Sequence, residues 1–386
     1  MAQPPPVADA VIVGAGIVGL TIAYELASAG MTRVVVFDAG TPGQQSTGRA
    51  TGGIRRQFGS ELEIRLTDAT LDLYRPMFAD PEFGGRFARD GYLFLAGPEQ
   101  HDRLSTMWQL QGGAGVPTMW LDPETLRETY PFIDLSGISG GTFCADDGFV
   151  DPWSIVQWLL QKCRSLGVVI LARQAVDRID VTNGHVQGVA TGASRVATGV
   201  VVNAAGAWAG VVGGLAGVSI PVQPSPRVQV VTGPQRAIPD TTPLIVDLTS
   251  GGYIRATAGR VLAGVAPRTI PVGFELEATP DDLEVIAACV ALRFPELADV
   301  SVSSVITGLY EITPDGLPIA SFGEDLAGFC TVAGFNGHGI MHSAPLACAM
   351  ADTIVRGHSD RFDLAPFSVR RFAAGTAVHN RASGLI

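Results

Sequence analysis

The strongest constraint on this chain's fold lies between residues 10 and 40. Ala10 to Val13 (AVIV) is a short apolar run suited to a fully buried strand. TIAYELASAG carries apolar residues at helical spacing, with Gly30 placed to end the helix, and MTRVVVFD is a second apolar strand that finishes on Asp38. Strand, helix and strand in this order predict a β-α-β unit with a parallel pair. Between the first strand and the helix stands Gly14-Ala15-Gly16-Ile17-Val18-Gly19. Gly14 permits the tight turn, Gly16 lets a pyrophosphate approach the backbone at the helix N-terminus, and Gly19 lets the helix pack closely on the strand. Asp38 lies nineteen residues after Gly19, with Ala39 following. It is placed to accept hydrogen bonds from a ribose 2′-OH, which disfavours a 2′-phosphate and hence NADP. These residues predict a dinucleotide site. The motif alone does not separate NAD from FAD.

The chain has 386 residues, room for two domains at about 150 residues each. The α/β texture of the N-terminus returns in residues 151–215 and again after Gly323, through CTVAG and a closing helix. Residues of about 90–150 and 220–325 are richer in short β-like runs such as YLFLAG, RVQVVTG, GGYIRAT and RVLAGVA, separated by turn residues. The expected fold is therefore α/β. A discontinuous Rossmann-type domain (1–89, 150–220 and 324–386) is joined to a second domain of mostly antiparallel β-sheet plus helices (90–149 and 221–323).

With 37 acidic against 26 basic residues the formal charge is -11, which argues against a nucleic-acid partner. The five cysteines are scattered without a CxxC pair, as expected of reduced thiols in a cytoplasmic protein. MAQPPPVADA lacks the basic start and cleavage pattern of a signal peptide. Residues 196–226 carry no charge, but Asn203, five glycines between Gly206 and Gly217, and Pro221 fit a buried strand and tight backbone packing better than a membrane span.

Four remote segments add to the fingerprint: QQSTGRATGGIRRQFG (44–59), NAAGAWA (203–209), GLYEITPDGLPIA (308–320) and AGFNGHGIM (333–341). In this order and spacing the sequence resembles the family of D-amino-acid oxidase, glycine oxidase and sarcosine oxidase, nearest the sarcosine oxidase and dimethylglycine dehydrogenase branch. The resemblance implies FAD, a discontinuous cofactor domain and a substrate domain on an antiparallel sheet.

Read residue by residue, Ser46 and Thr47 can bond a pyrophosphate, and Thr51, Gly52 and Gly53 would lie along the flavin. The resemblance places the backbone of Val176 at the adenine. Ala205 and Gly206 end a buried strand where a cofactor can approach, with Trp208 as packing or a flavin-edge contact. In the resembling dehydrogenases a histidine near the first loop carries a covalent flavin, and Arg49 takes that place here. Monomeric sarcosine oxidases attach the flavin to a cysteine where this chain has Gly308. Both departures predict noncovalent FAD.

For the substrate, the resemblance puts Arg55 where sarcosine oxidases bind a carboxylate, and an arginine fork suits one. Tyr253 and Arg255 share one strand face and are second candidates. Tyr310 stands where the glycine oxidase branch has an arginine, which argues against a simple primary amino acid. Met341 stands where the sarcosine oxidases have a substrate-binding lysine, which implies a bulkier or less polar substrate, or one carboxylate contact instead of two. No lysine occurs in 222–275, where those oxidases have the lysine that assists oxygen. The electron acceptor could then be oxygen, a quinone or another protein.

GFNGHGIMH raises a metal alternative through His338 and His342. Pro345 opposes one continuous helical face there, since its ring would clash with the carbonyl of Met341, and Ser343 reads as the N-cap. Without a nearby carboxylate or cysteine, no metal site is expected. Instead Gly337, His338, Gly339, Ile340 and Met341 are expected to wall the flavin's pyrimidine end, where a helix N-terminus stabilises developing negative charge. The expected activity is an FAD-dependent oxidation of the C–N bond of an amino acid or N-alkylated amino acid. The rivals are a flavoprotein acting on a hydroxy acid or polyol, and a flavoprotein partner subunit with little turnover.

Overall fold

The computed structural model describes residues 4–192, 194–266, 270–324 and 326–372. β1 (Ala10–Val13), α1 (Ile17–Ser28) and β2 (Val34–Asp38) fall where the periodicity predicts, and the two strands pair in parallel with Val11 opposite Val35. Ala10 and Ile12 point into one core and Val11 and Val13 into another, so β1 is buried on both faces and reads as an unbroken apolar run.

This pair is the centre of a six-stranded sheet. Its order is Ile319–Phe322, Phe329–Ala333, Val201–Asn203, β1, β2 and Val169–Ala172, parallel throughout except for the antiparallel edge at Ile319–Phe322. The return to this sheet therefore begins at Ile319, ahead of the Gly323 suggested by texture. On one face pack α1, α2 (Glu61–Ala79) and the C-terminal helix Gly339–Arg356.

The other face is partly covered by a separate antiparallel sheet of Arg178–Thr182, His185–Thr191 and Ser194–Ala197. Sequence texture predicts continuing α/β here, and the structure corrects it. Asn183 and Gly184, both at positive φ, make the two-residue hairpin turn that signals antiparallel strands.

The second large sheet has eight strands, from the edge strand Val302–Ile312 through Gln223–Thr232, Arg260–Val265, Gly252–Thr257, Leu244–Asp247, Tyr92–Ala96 and Gly140–Cys144 to Met119–Leu121. All neighbours are antiparallel except Leu244–Asp247 beside Tyr92–Ala96. Leu93, Leu95, Val230, Ile245, Ile254 and Ala263 share one core with Ile286 of the helix Pro280–Arg293. A buried ion pair, Arg293 to Asp247 at 2.7 Å, fastens that helix down. By alternation the opposite face carries Tyr92, Phe94, Gln229, Tyr253 and Arg255.

The C-terminal helix corrects the expected cap at Ser343. It starts at Gly339, with His338 in the N-cap position and Pro345 inside it. Proline costs one hydrogen bond there, but Ile340 to Asp352 are buried, and this packing against α1 and α2 holds the first turns helical. Residues 373–386, assigned to the cofactor part from sequence, lie outside the described residues. Among the described residues no helix is long and apolar enough to cross a membrane. The uncharged stretch instead supplies the strand Val201–Asn203 and the short helix Ala209–Leu215.

Candidate active site

A long cleft opens at the β1–α1 turn and runs between the two large sheets. Gly14, at φ 107°, is forced to be glycine, because a Cβ there would stand 2.3 Å from the Ala204 carbonyl. Gly19 faces backward, where a Cβ would meet the Gly14 carbonyl at 1.9 Å, so it brings helix and strand together without lining the cleft. Gly16, Ile17 and Val18 do line it. The first turn of α1 carries no acid and no side-chain cap, and the Ile17 N–H donates to Thr47 Oγ1 at 3.1 Å. A helix start left this way, with Thr47 beside it, suits an anion such as a pyrophosphate.

Asp38 lines the cleft next to Ala39. Its two oxygens accept from the N–H groups of Ala15 and Gly40, both at 2.8 Å, which fixes the carboxylate while leaving lone pairs for a ribose. Ala15 itself is buried behind the turn. Val176 lines the same end from the connection after Val169–Ala172, with Gln174 and Ala175 beside it.

Further along, Ser46, Thr47, Arg49 and Thr51 form one wall and Ala205, Gly206 and Trp208 another. Ser46 Oγ donates to the Leu309 carbonyl at 2.8 Å, and Arg49 donates to Gln44 and Thr307 carbonyls, tying this loop to the edge strand. Gly308 lies directly against Arg49, whose Cβ would be 3.4 Å from a Cβ at 308. Gly52 and Gly53 do not line the cleft. Gly52 packs on the Val150 carbonyl, and Gly53 sits under the Tyr92 hydroxyl.

Gly337, Gly339 and Ile340 line the cleft, whereas His338 and Met341 lie behind it. Met341 belongs to the apolar core. His338 Nε2 is 3.2 Å from Arg55 Nη2 and its ring meets Phe58 edge-on. Arg55 is buried, stacks over Phe58 at 4.1 Å and donates to the Gln57 carbonyl. Burial pulls its guanidinium below the ordinary value, opposed by Tyr92, Glu63, Asp147 and Tyr310. Burial, with His338 and Arg55 close by, pulls the His342 imidazole well below the usual histidine range.

Tyr310 reaches the cleft, but Tyr253 and Arg255 stand beside its lining. Arg255 donates across to the Thr51 carbonyl and lies over Phe149, leaving its buried Nε without a hydrogen bond. Three tyrosines of this sheet share one device. Tyr310 lies over Gly337, Tyr253 over Gly264 and the Tyr92 hydroxyl over Gly53, each so close that a Cβ on the glycine would collide with it.

Arg227, Gln229, Ile306 and Glu311 also line the cleft, and together with Tyr92 and Gly264 were missed from sequence. Arg227 and Gln229 repeat the period-two polar pattern of Tyr253 and Arg255, and Tyr92 and Phe94 repeat it again. That signal was available in RVQVV and YLF. Glu311 accepts from the Gly334 N–H at 2.9 Å, and burial raises its carboxyl to about 7.

Comparison with known proteins agrees with this architecture. A family model described as FAD dependent oxidoreductase matches residues 9–353. FAD-dependent oxidoreductase domain-containing protein 1 of Bos taurus is 27% identical, covering 96% of this chain and 86% of that protein. The mitochondrial dimethylglycine dehydrogenase of Rattus norvegicus is 26% identical across 96% of this chain but only 45% of its own length, so this chain spans under half of that enzyme. The crystal structure of L-proline dehydrogenase from P. horikoshii superposes with a TM-score of 0.88 at 30% identity, covering 96% of this chain and 99% of that one. A glycine-walled helix start, a fixed carboxylate on the second strand and a match over nine-tenths of the chain place this protein in the FAD-dependent oxidoreductase family.

Proposed function

We propose that the protein oxidises the C–N bond of an amino acid or N-alkylated amino acid. The observation that carries this reading is the composition of the cleft's two sides. One side is the nucleotide-type wall, and the other is a sheet face on which Tyr310, Arg227 and Gln229 line the cleft beside the glycine loop at Gly337, with Tyr253 and Arg255 next to the lining. Such a face suits a compact organic anion better than an uncharged polyol. The names of the compared L-proline and dimethylglycine dehydrogenases, both amine substrates that carry a carboxylate, support it.

In this reading residues 4–89, 150–220 and 319–372 form the cofactor part and 90–149 and 221–318 the substrate part, the boundary set by the strand Ile319–Phe322. Gly14 to Val18 would hold the pyrophosphate, Asp38 a ribose and Val176 the adenine. Ser46, Thr47, Arg49, Thr51, Ala205, Gly206, Trp208, Gly308, Gly337, Gly339 and Ile340 would surround the remainder. Bound FAD supplies the hydride acceptor. The protein's share is to orient the amine's carbon toward it and exclude water. Arg55 and Arg255, each held by a backbone carbonyl, provide a positive field that attracts the carboxylate, and Tyr253, Tyr310 and His338 fix its surroundings. Arg49 and Gly308 offer no attachment nucleophile, which supports noncovalent FAD.

The chain's single lysine, Lys162, is engaged with Asp80 and Glu82 far along the sequence from these loops. With no lysine available at the site, a quinone or a protein is the preferred electron acceptor over oxygen. None of the five cysteines forms a disulfide, and four of them are buried, which supports a reducing, cytoplasmic compartment.

The test is the visible spectrum of the purified protein, followed by anaerobic additions of amines, N-alkyl amino acids and hydroxy acids. Bleaching by amines alone is expected. Bleaching by hydroxy acids alone overturns the C–N assignment, and no bleaching by any compound points to a partner subunit. Denaturation should release all yellow colour from the polypeptide.

A further inference from the structure

Arg227 is a partly buried cation of the cleft wall, and no carboxylate is among the groups that act on its charge. It stands on Gln223–Thr232 opposite Gly308, with its guanidinium carbon 4.5 Å from the centre of the Tyr310 ring. Its Nη1 donates to Ser225 Oγ at 2.7 Å and to the Pro226 carbonyl at 2.8 Å. Both acceptors are neutral. Among the described residues its Nε and Nη2 make no hydrogen bond.

Burial pulls its guanidinium below the ordinary value, and the groups that oppose this are the phenols of Tyr310 and Tyr253. Arg49, on the facing wall, turns its donors to the Gln44 and Thr307 carbonyls, and the two arginines beside the lining differ in their charged neighbours. Arg55 feels Glu63 and Asp147, and Arg255 feels Asp151. Glu311 does not serve Arg227 either, because its carboxylate accepts from the Gly334 N–H. It follows Tyr310 on the strand, so its side chain leaves from the other side. A partly desolvated cation without a carboxylate is costly unless an anion arrives to meet it.

We propose that Arg227 receives the carboxylate of the substrate, with the Tyr310 ring as the platform that holds its guanidinium plane. The free edge of the fork offers the paired N–H donors that a carboxylate takes. This assignment rests on the amino-acid reading above. It adds a residue in direct contact with the substrate, where Arg55 and Arg255 act through their field. The same cation could instead face negative charge on the cofactor, and the experiment separates the two sources.

Holoenzyme is titrated with acetate and with butyrate, using 1-butanol as the uncharged control, and the flavin absorbance is followed. Wild type is expected to show saturable shifts with the carboxylates only. Arg227→Gln should raise their apparent Kd at least about tenfold, the loss of a charge-assisted hydrogen bond, and Arg227→Lys should raise it less. The Kd for FAD and the flavin midpoint potential should stay unchanged in both variants. Carboxylate affinity unaltered in Arg227→Gln overturns the proposal, as does wild type that responds to neither carboxylate. A shifted FAD Kd or potential with carboxylate binding intact also overturns it and assigns the cation to the cofactor. If Arg227→Gln does not fold, Arg227→Lys carries the same comparison. The amine panel is read separately. Carboxylate binding that depends on Arg227 without amine bleaching would sink the proposed reaction and leave this site standing.

Discussion

Replacing Gly264 with alanine tests whether the tyrosine face shapes the substrate site. A Cβ there would stand 2.3 Å from the Tyr253 hydroxyl and 2.5 Å from Cζ. Ordinary contact begins near 3.4 Å, so the ring must move by about 1 Å. The backbone at Gly264 is not in the left-handed region, and the obstacle is the free end of a side chain rather than backbone. The stability cost should therefore sit at the low end of overpacking, about 1 kcal/mol, or a melting shift of a few degrees. The functional cost should be larger, because about 1 Å of misplacement in a reacting site can cost up to about 100-fold. Steady-state kinetics with an amine that bleaches the flavin should show kcat/KM lowered about tenfold or more, with the Kd for FAD unchanged. In a Tyr253→Ala background the same Gly264→Ala change should have almost no further effect on kcat/KM. Additive losses, agreeing within about 0.5 kcal/mol, would show that the two residues do not act together and would refute the reasoning.

Three other outcomes follow from the same geometry. Gly14→Ala places a Cβ 2.3 Å from the Ala204 carbonyl at φ 107°, where nothing flexible can yield, so flavin titration should show loss of FAD binding alongside about 1–3 kcal/mol of strain. Arg293→Ala strands the buried Asp247 carboxylate and should cost about 3–5 kcal/mol in urea unfolding, with the fold otherwise kept. Burial raises Asp147 from 3.8 to about 6 and Glu311 from 4.5 to about 7. The folded state thus keeps protons that the unfolded chain gives up, a contribution fully present below about pH 4 and lost as pH rises through 6 to 7. Urea midpoints of the cofactor-free protein should fall across that window, and Glu311→Gln should flatten the profile. Asp352, held down to about 2 chiefly by Arg361, acts only at lower pH.

What the sequence made legible was whatever is contiguous along the chain. The β1–α1–β2 unit could be read because its strands, its glycines and Asp38 fall within about thirty residues, and each step has a local physical reason. The glycines at 337 and 339 and the aromatic at 310 could be placed near the site only through the order of remote segments. The helix through Pro345 is hidden for the opposite reason. A local rule about proline ends a helix at Pro345, whereas burial of Ile340 to Asp352 decides the outcome.

The tyrosine and arginine face shows why the remainder was hidden. Alternation tells which residues of one strand share a side, but it does not tell which strands become neighbours. Gln229, Gly264 and Tyr253 form one transverse row because three strands adopt a particular register. Only that register turns Gly264 from a weak point in a strand into the floor under an aromatic ring. The same holds for Gly308, Arg227 and Tyr310, which meet through the pairing of Gln223–Thr232 with Val302–Ile312. On this face each glycine matters for the side chain that lies over it from elsewhere. At Gly264 and Gly308 the glycine thus marks a large side chain from a neighbouring strand or loop, Tyr253 in one case and Arg49 in the other.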